Sequence, residues 1–168
     1  MTDAGRLMGL LPVTSFRANL LGLLIDTVSK GGNLLMHVSP TARGRLDAKS
    51  TAALQVYADW MRYHRAAIYG ARAADLPPLQ DCRLTRKGSA VYVHVLVWPF
   101  RHLHLPSLGT KVWRARLMNY GSEIKILQPQ PPNPNDTMLV PVDPNDLTFG
   151  LPVEKPPVAI PVIVLALI

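Results

Sequence analysis

A chain of 168 residues, 48% of them apolar, has enough length and hydrophobicity for one ordinary domain or two small ones, which excludes disorder throughout. Eighteen Lys and Arg against eleven Asp and Glu give a net charge of +7, which raises nucleic acid or an acidic membrane as a partner. Most basic residues are spread singly, with close groups such as Arg43 with Arg45 and Arg83, Arg86 and Lys87; this is the pattern of a solvated surface, and no nucleic-acid partner is expected.

Residues 1–13 mix Asp3 and Arg6 with a short apolar patch and lack a small-residue cleavage site. They are expected to be irregular and assign no compartment. Over 15–30, Phe16, Leu20, Leu23, Leu24, Thr27 and Val28 recur at helical spacing, with Ser15 available as a cap and Gly31 as a stop. The short apolar run 33–39 lies between Gly32 and Pro40 and predicts a strand buried on both faces, as in parallel sheets. Asp47 then caps a second helix to about residue 63, with Ala53, Val56, Tyr57, Trp60 and Met61 as its apolar stripe. A single parallel strand leaves both its edges unpaired, so this αβα unit is incomplete by itself.

Past Gly70 the period changes to two. Runs at 83–85, 91–98, 102–105, 112–117 and 123–126, separated by turn signals such as Lys87-Gly88, predict antiparallel strands. Four prolines between 128 and 135 predict an extended surface loop, and strands are expected again at 138–142, 147–153 and 158–168. The last run is apolar, yet it is half the roughly 20 residues of a spanning helix, and Pro161 interrupts it. No transmembrane segment is expected. The fold class is α+β: an αβα remnant over 14–70, followed by an antiparallel β-sandwich over 78–168.

The string Asp26-Thr27-Val28-Ser29-Lys30-Gly31-Gly32-Asn33-Leu34-Leu35, continuing through Val38 and Pro40-Thr41-Ala42-Arg43-Gly44, resembles the signature near the end of the catalytic barrel in α-L-fucosidases of glycoside hydrolase family 29. Trp60-Met61-Arg62 and Ala67-Ile68-Tyr69-Gly70 resemble the family's last barrel helix and the segment leaving it. Asp81-Cys82-Arg83-Leu84-Thr85, Tyr92-Val93-His94, Trp98-Pro99-Phe100 and His102-Leu103-His104-Leu105 resemble its C-terminal β-sandwich. Where the family usually has Asn this chain has His37, and where it has Gly this chain has Ser39; many members read Asn-Gly-Glu at His64-Arg65-Ala66.

The resemblance implies the end of a (β/α)8 barrel plus a sandwich, and a retaining glycosidase acting on fucosylated glycans through a full-length parent. Such enzymes use two carboxyl groups about 5 Å apart, one as nucleophile and one as acid/base. In the family both lie earlier in the barrel than the segment seen here. None of this chain's eleven acids matches a catalytic position, so no catalytic residue is assigned and the isolated chain is expected to be inactive. Its partner would be the missing barrel portion, and Asn33, His37 and Ser39 would form a small part of the pocket wall.

The remaining candidates have bland readings. Cys82 reads as a buried free thiol rather than a nucleophile. His102 and His104 share a strand face, and His94 could add a third nitrogen for zinc, but spacing alone assigns neither metal nor cofactor. Trp60 reads as core and Trp98 as core more than surface. Trp113, between Val112 and Arg114, is the candidate for stacking on a sugar. Two other functions stand beside the fucosidase reading: a stand-alone carbohydrate-binding or interaction sandwich without catalysis, and a degenerate fragment.

Overall fold

The computed structural model describes residues 13–77, 79–127, 143 and 145–168. Helix α1 (Val13–Ser29) turns its Leu21 and Ile25 inward. Ser15 lies inside this helix rather than capping it. The helix ends as Gly31 predicts: at φ +79° the Gly31 amide donates to Val28 O (3.0 Å) and the Gly32 amide to Thr27 O (2.9 Å). That pairing satisfies the last carbonyls in a Schellman arrangement, which a left-handed glycine makes inexpensive. Helix α2 (Ala48–His64) starts on Asp47, whose carboxylate accepts from the Ser50 amide at 2.6 Å. The same hydrogen bond holds the Asp47 carboxyl below its ordinary range. A 3₁₀ turn, Arg65–Ala67, leads out of it. No helix among the described residues is long and apolar enough to cross a membrane.

Among the described residues eight strands follow, all paired antiparallel: β1 (Arg72–Ala73), β2 (Cys82–Lys87), β3 (Ala90–Val95), β4 (His102–Leu105), β5 (Val112–Leu117), β6 (Lys125–Leu127), β7 (Leu147–Gly150) and β8 (Val162–Leu167). They form a five-stranded sheet in the order β1-β2-β3-β8-β5 and a three-stranded sheet in the order β4-β7-β6. The alternation read from sequence places β2 to β8 within a few residues, β4 and β5 end to end, and leaves the two-residue β1 unpredicted. The strand expected at 138–142, the proline-rich loop at 128–135 and residues 1–12 lie outside the described residues.

Two cores make three layers. Between the sheets, Val91, Val93 and Val95 of β3 meet Leu103 and Leu105 of β4, Leu147 and Phe149 of β7, and Ile163 and Leu165 of β8. On the opposite face of the large sheet, Tyr92 and Val162 meet Leu21 and Ile25 of α1 and Trp60 of α2. Strand β3 is therefore buried on both faces, with odd residues in one core and even residues in the other. β4 shows the simpler case, Leu103 and Leu105 inward and His102 and His104 outward.

Residues 33–39 correct an expectation. They belong to no ladder, and the structure does not bury them on both faces: Leu34, Met36 and Val38 are half-buried, while Asn33, Leu35, His37 and Ser39 are exposed, Leu35 to 95%. This burial has a strand's period of two. Without neighbouring strands its backbone groups face solvent, which is why the apolar side chains find cover on only one side.

Candidate functional site

The three residues expected to line a pocket wall, Asn33, His37 and Ser39, lie along the exposed side of this extended segment together with Leu35. Behind them the chain closes a tight turn. The Thr41 amide donates to Arg45 O (2.7 Å), the Gly44 amide to Thr41 O (2.9 Å), and Gly44 takes φ +71°, which glycine alone adopts without strain. Pro40 bridges Leu46 across that turn. The segment is thus held at both ends, by the Gly31 helix stop and by this turn.

Cavities among the described residues lie elsewhere, two of them well defined. One, of about 440 Å³, runs between the end of α1 and β2, with Ser29, Lys30, Leu76, Pro77, Cys82 and Arg83 in its wall. The second, of about 260 Å³, lies beside β4 and is bordered by Gln80, Asp81, Val97, Pro99, His102 and His104. Neither is lined by Asn33, His37, Ser39 or Trp113, and together they hold a single carboxylate, Asp81. Trp113 stands 60% exposed on β5, away from both.

Several of the other acids have structural partners. Asp26 of α1 accepts from Arg83 Nε (2.7 Å) and from Lys30, tying the helix to β2. The Arg83 hydrogen bond, followed by that of Lys30, lowers its pKa. Asp143 accepts the Asn145 amide at 2.8 Å within one turn. Glu123 pairs with Arg114 at 3.3 Å. Each of these carboxylates is thus engaged in a structural contact.

The histidines do not assemble a zinc site. His102 and His104 lie on the outer face of the small sheet, with His104 Nδ1 bonded to the Thr148 hydroxyl at 2.9 Å. His94 is fully buried in the other sheet, under α2. Among the described residues no group of three or more metal-ligating side chains occurs. Cys82 is buried, and desolvation pushes its thiol up to about 12, so it stays protonated and inert.

Sequence reading missed two tertiary features. One is the Asp26–Arg83 tie, in which an acid of the barrel-like signature serves to anchor the sandwich. The other is a buried aromatic stack, with the Trp60 ring 4.6 Å from His64 and 6.1 Å from His94. The alternation of β3 could have placed His94 on Tyr92's face, but nothing in the sequence says which element covers that face.

Comparison with known proteins bears on the whole arrangement. The α-L-fucosidase family profile matches residues 14–66. The α-L-fucosidase of Branchiostoma floridae is 36% identical over 84 residues, covering 48% of this chain and 19% of that protein. Human tissue α-L-fucosidase is 32% identical over 95 residues, covering 55% of this chain and 20% of that protein. Among solved structures, α-L-fucosidase isoenzyme 1 from Paenibacillus thiaminolyticus superposes with a TM-score of 0.78 at 32% identity, covering 90% of this chain and 34% of that one. A family-29 α-L-fucosidase from Bacteroides thetaiotaomicron gives 0.76 at 22% identity, a likeness of fold. The chain spans about a fifth of the length of these curated relatives and about a third of the solved structures. On these matches the chain resembles, in sequence and in fold, the C-terminal part of α-L-fucosidases of glycoside hydrolase family 29.

Proposed function

We propose that this chain is the C-terminal part of a retaining α-L-fucosidase acting on fucosylated glycans, and that it completes the barrel while the catalytic carboxyl pair is supplied by residues outside it. The observation that carries this reading is segment 33–39, a strand-like run with alternating burial and no strand partner among the described residues. A sheet added along its free edges would pair its backbone and cover Leu35. That position would set Asn33, His37 and Ser39 at a barrel strand end, where pocket walls form. The partner is accordingly the barrel portion, and its glycan would be held mainly by barrel loops.

A second reading, a non-catalytic carbohydrate-binding sandwich, has the exposed indole of Trp113 in its favour. The fucosidase reading accounts for more of the molecule, since the family's solved structures superpose over 90% of the chain.

The test is a chimera in which residues from Thr14 onward replace the matching third of the P. thiaminolyticus enzyme. Turnover of an aryl α-L-fucoside is expected, and His37→Asn with Ser39→Gly should raise it, because both positions depart from the family's usual residues. A soluble, folded chimera that stays silent before and after these two changes would point instead to a degenerate copy.

A further inference from the structure

His64 and His94 are buried to 1% and 0% exposure, one at the end of α2 and the other on β3, the middle strand of the large sheet. Their tautomers follow from their partners. His64 Nδ1 lies 2.9 Å from the Trp60 carbonyl, which can only accept, so that nitrogen carries the proton. The Thr85 hydroxyl donates to the Ala67 carbonyl (2.8 Å), so its oxygen accepts from His94 Nε2–H at 3.0 Å. This leaves two bare lone pairs, on His64 Nε2 and His94 Nδ1, both buried and neither hydrogen-bonded to a described residue.

Neutral imidazoles tolerate this arrangement; imidazolium ions do not. A proton added to either bare nitrogen creates a charged N–H with no acceptor among the described residues, inside an apolar layer. Neighbouring groups offer little relief. α2 presents Trp60 and His64 to His94, and β8 presents Val162, its register partner. On β2 the register partner is Arg83, a cation already paired with Asp26 of α1; on β3 the same face carries Tyr92. Burial lowers the pKa of both imidazoles, and His64 lowers that of His94 further.

We propose that the His64–Trp60–His94 stack is an acid-release latch: protonation parts α2 from the five-stranded sheet while the sandwich remains folded. The stack spans the seam between the two layers, where two hydrogen bonds flank it beside the shared apolar core. Trp60 Nε1 donates to Ile160 O at 2.8 Å, and the Thr85 hydroxyl reaches Ala67 O. The inter-sheet core holds no histidine, so acid leaves it intact. α1 stays anchored to β2 as well, because Asp26 with its lowered pKa remains ionised in mild acid.

The sign is fixed by linkage. The open form binds protons near the ordinary value of 6.5 and the closed form resists them, so closure is strongest above that pH and weakens as pH falls below it. The open population rises about tenfold per pH unit for each histidine that the closed form keeps neutral.

Hydrogen exchange of the full chain between pH 7 and pH 4.5, corrected for intrinsic rates, tests this. Protection of Ala48–His64 is expected to fall steeply while that of Ala90–Val95 and Val162–Leu167 holds. His94→Gln should remove about one factor of ten per pH unit from that slope, and His64→Gln, which spares the sheet, should do the same if the first variant fails to fold. Loss of protection in both layers together, no loss at all, or a wild-type slope in His64→Gln would overturn the latch.

Discussion

Replacing Phe149 with alanine is expected to destabilise the chain by about 3–5 kcal/mol, a large share of the total stability of a domain. Phe149 is fully buried at the middle of β7, itself the central strand of the small sheet, opposite Leu103 on β4 and Ile126 on β6. It is also among the largest side chains sealed between the two sheets. Truncation removes the transfer free energy of the ring and leaves a cavity that strands paired on both sides cannot collapse to fill. Urea unfolding should show the midpoint drop with little change in slope. A loss below about 1 kcal/mol would mean that the sheets do not close on this ring.

The next largest effect is expected at Gly109. Its amide donates to Asn145 O at 2.7 Å, which clamps the turn before β5 onto the turn before β7. A Cβ built there would meet Asn145 O at 2.8 Å, Asn145 C at 2.9 Å and Asp146 O at 3.0 Å, all backbone atoms that cannot swing aside. Those atoms are fixed in turn, since the Asp146 amide donates to Asp143 O at 2.8 Å. Gly109→Ala should therefore cost about 1–3 kcal/mol through forced backbone movement. In a thermal melt this is a fall of roughly 2–4 °C per kcal/mol for a chain of this size. An unchanged melting temperature would place the two turns farther apart.

The local structure of this chain is written in short-range chemistry. Asp47 with Ser50 and Gly31 with Thr27 need only their neighbours to form caps, and the Leu-His alternation of β4 states its own inside and outside. Layer order is different. β3 reads Ala-Val-Tyr-Val-His-Val, which shows burial on both faces but leaves unstated that helices cover one face and β4 and β7 the other. The run 33–39 misled for the same reason: its composition suits a strand inside a sheet, and composition does not say whether the sheet is present. The family resemblance rested on a contiguous string and was legible at once. The carboxyl pair was legible only through that resemblance, because a double-displacement site is a distance between side chains rather than a spacing along the chain.

Cleaving a fucosyl bond with retention needs a nucleophilic carboxylate and a second carboxyl group on one cleft, and the two cavities described here have one carboxylate, Asp81, in their walls. The most direct measurement is release of the aryl group from an aryl α-L-fucoside by the purified 168-residue chain. No turnover above a blank is predicted across the pH range in which the chain stays folded. Steady turnover that disappears when one of its own acids, such as Asp81, is changed to asparagine would contradict it.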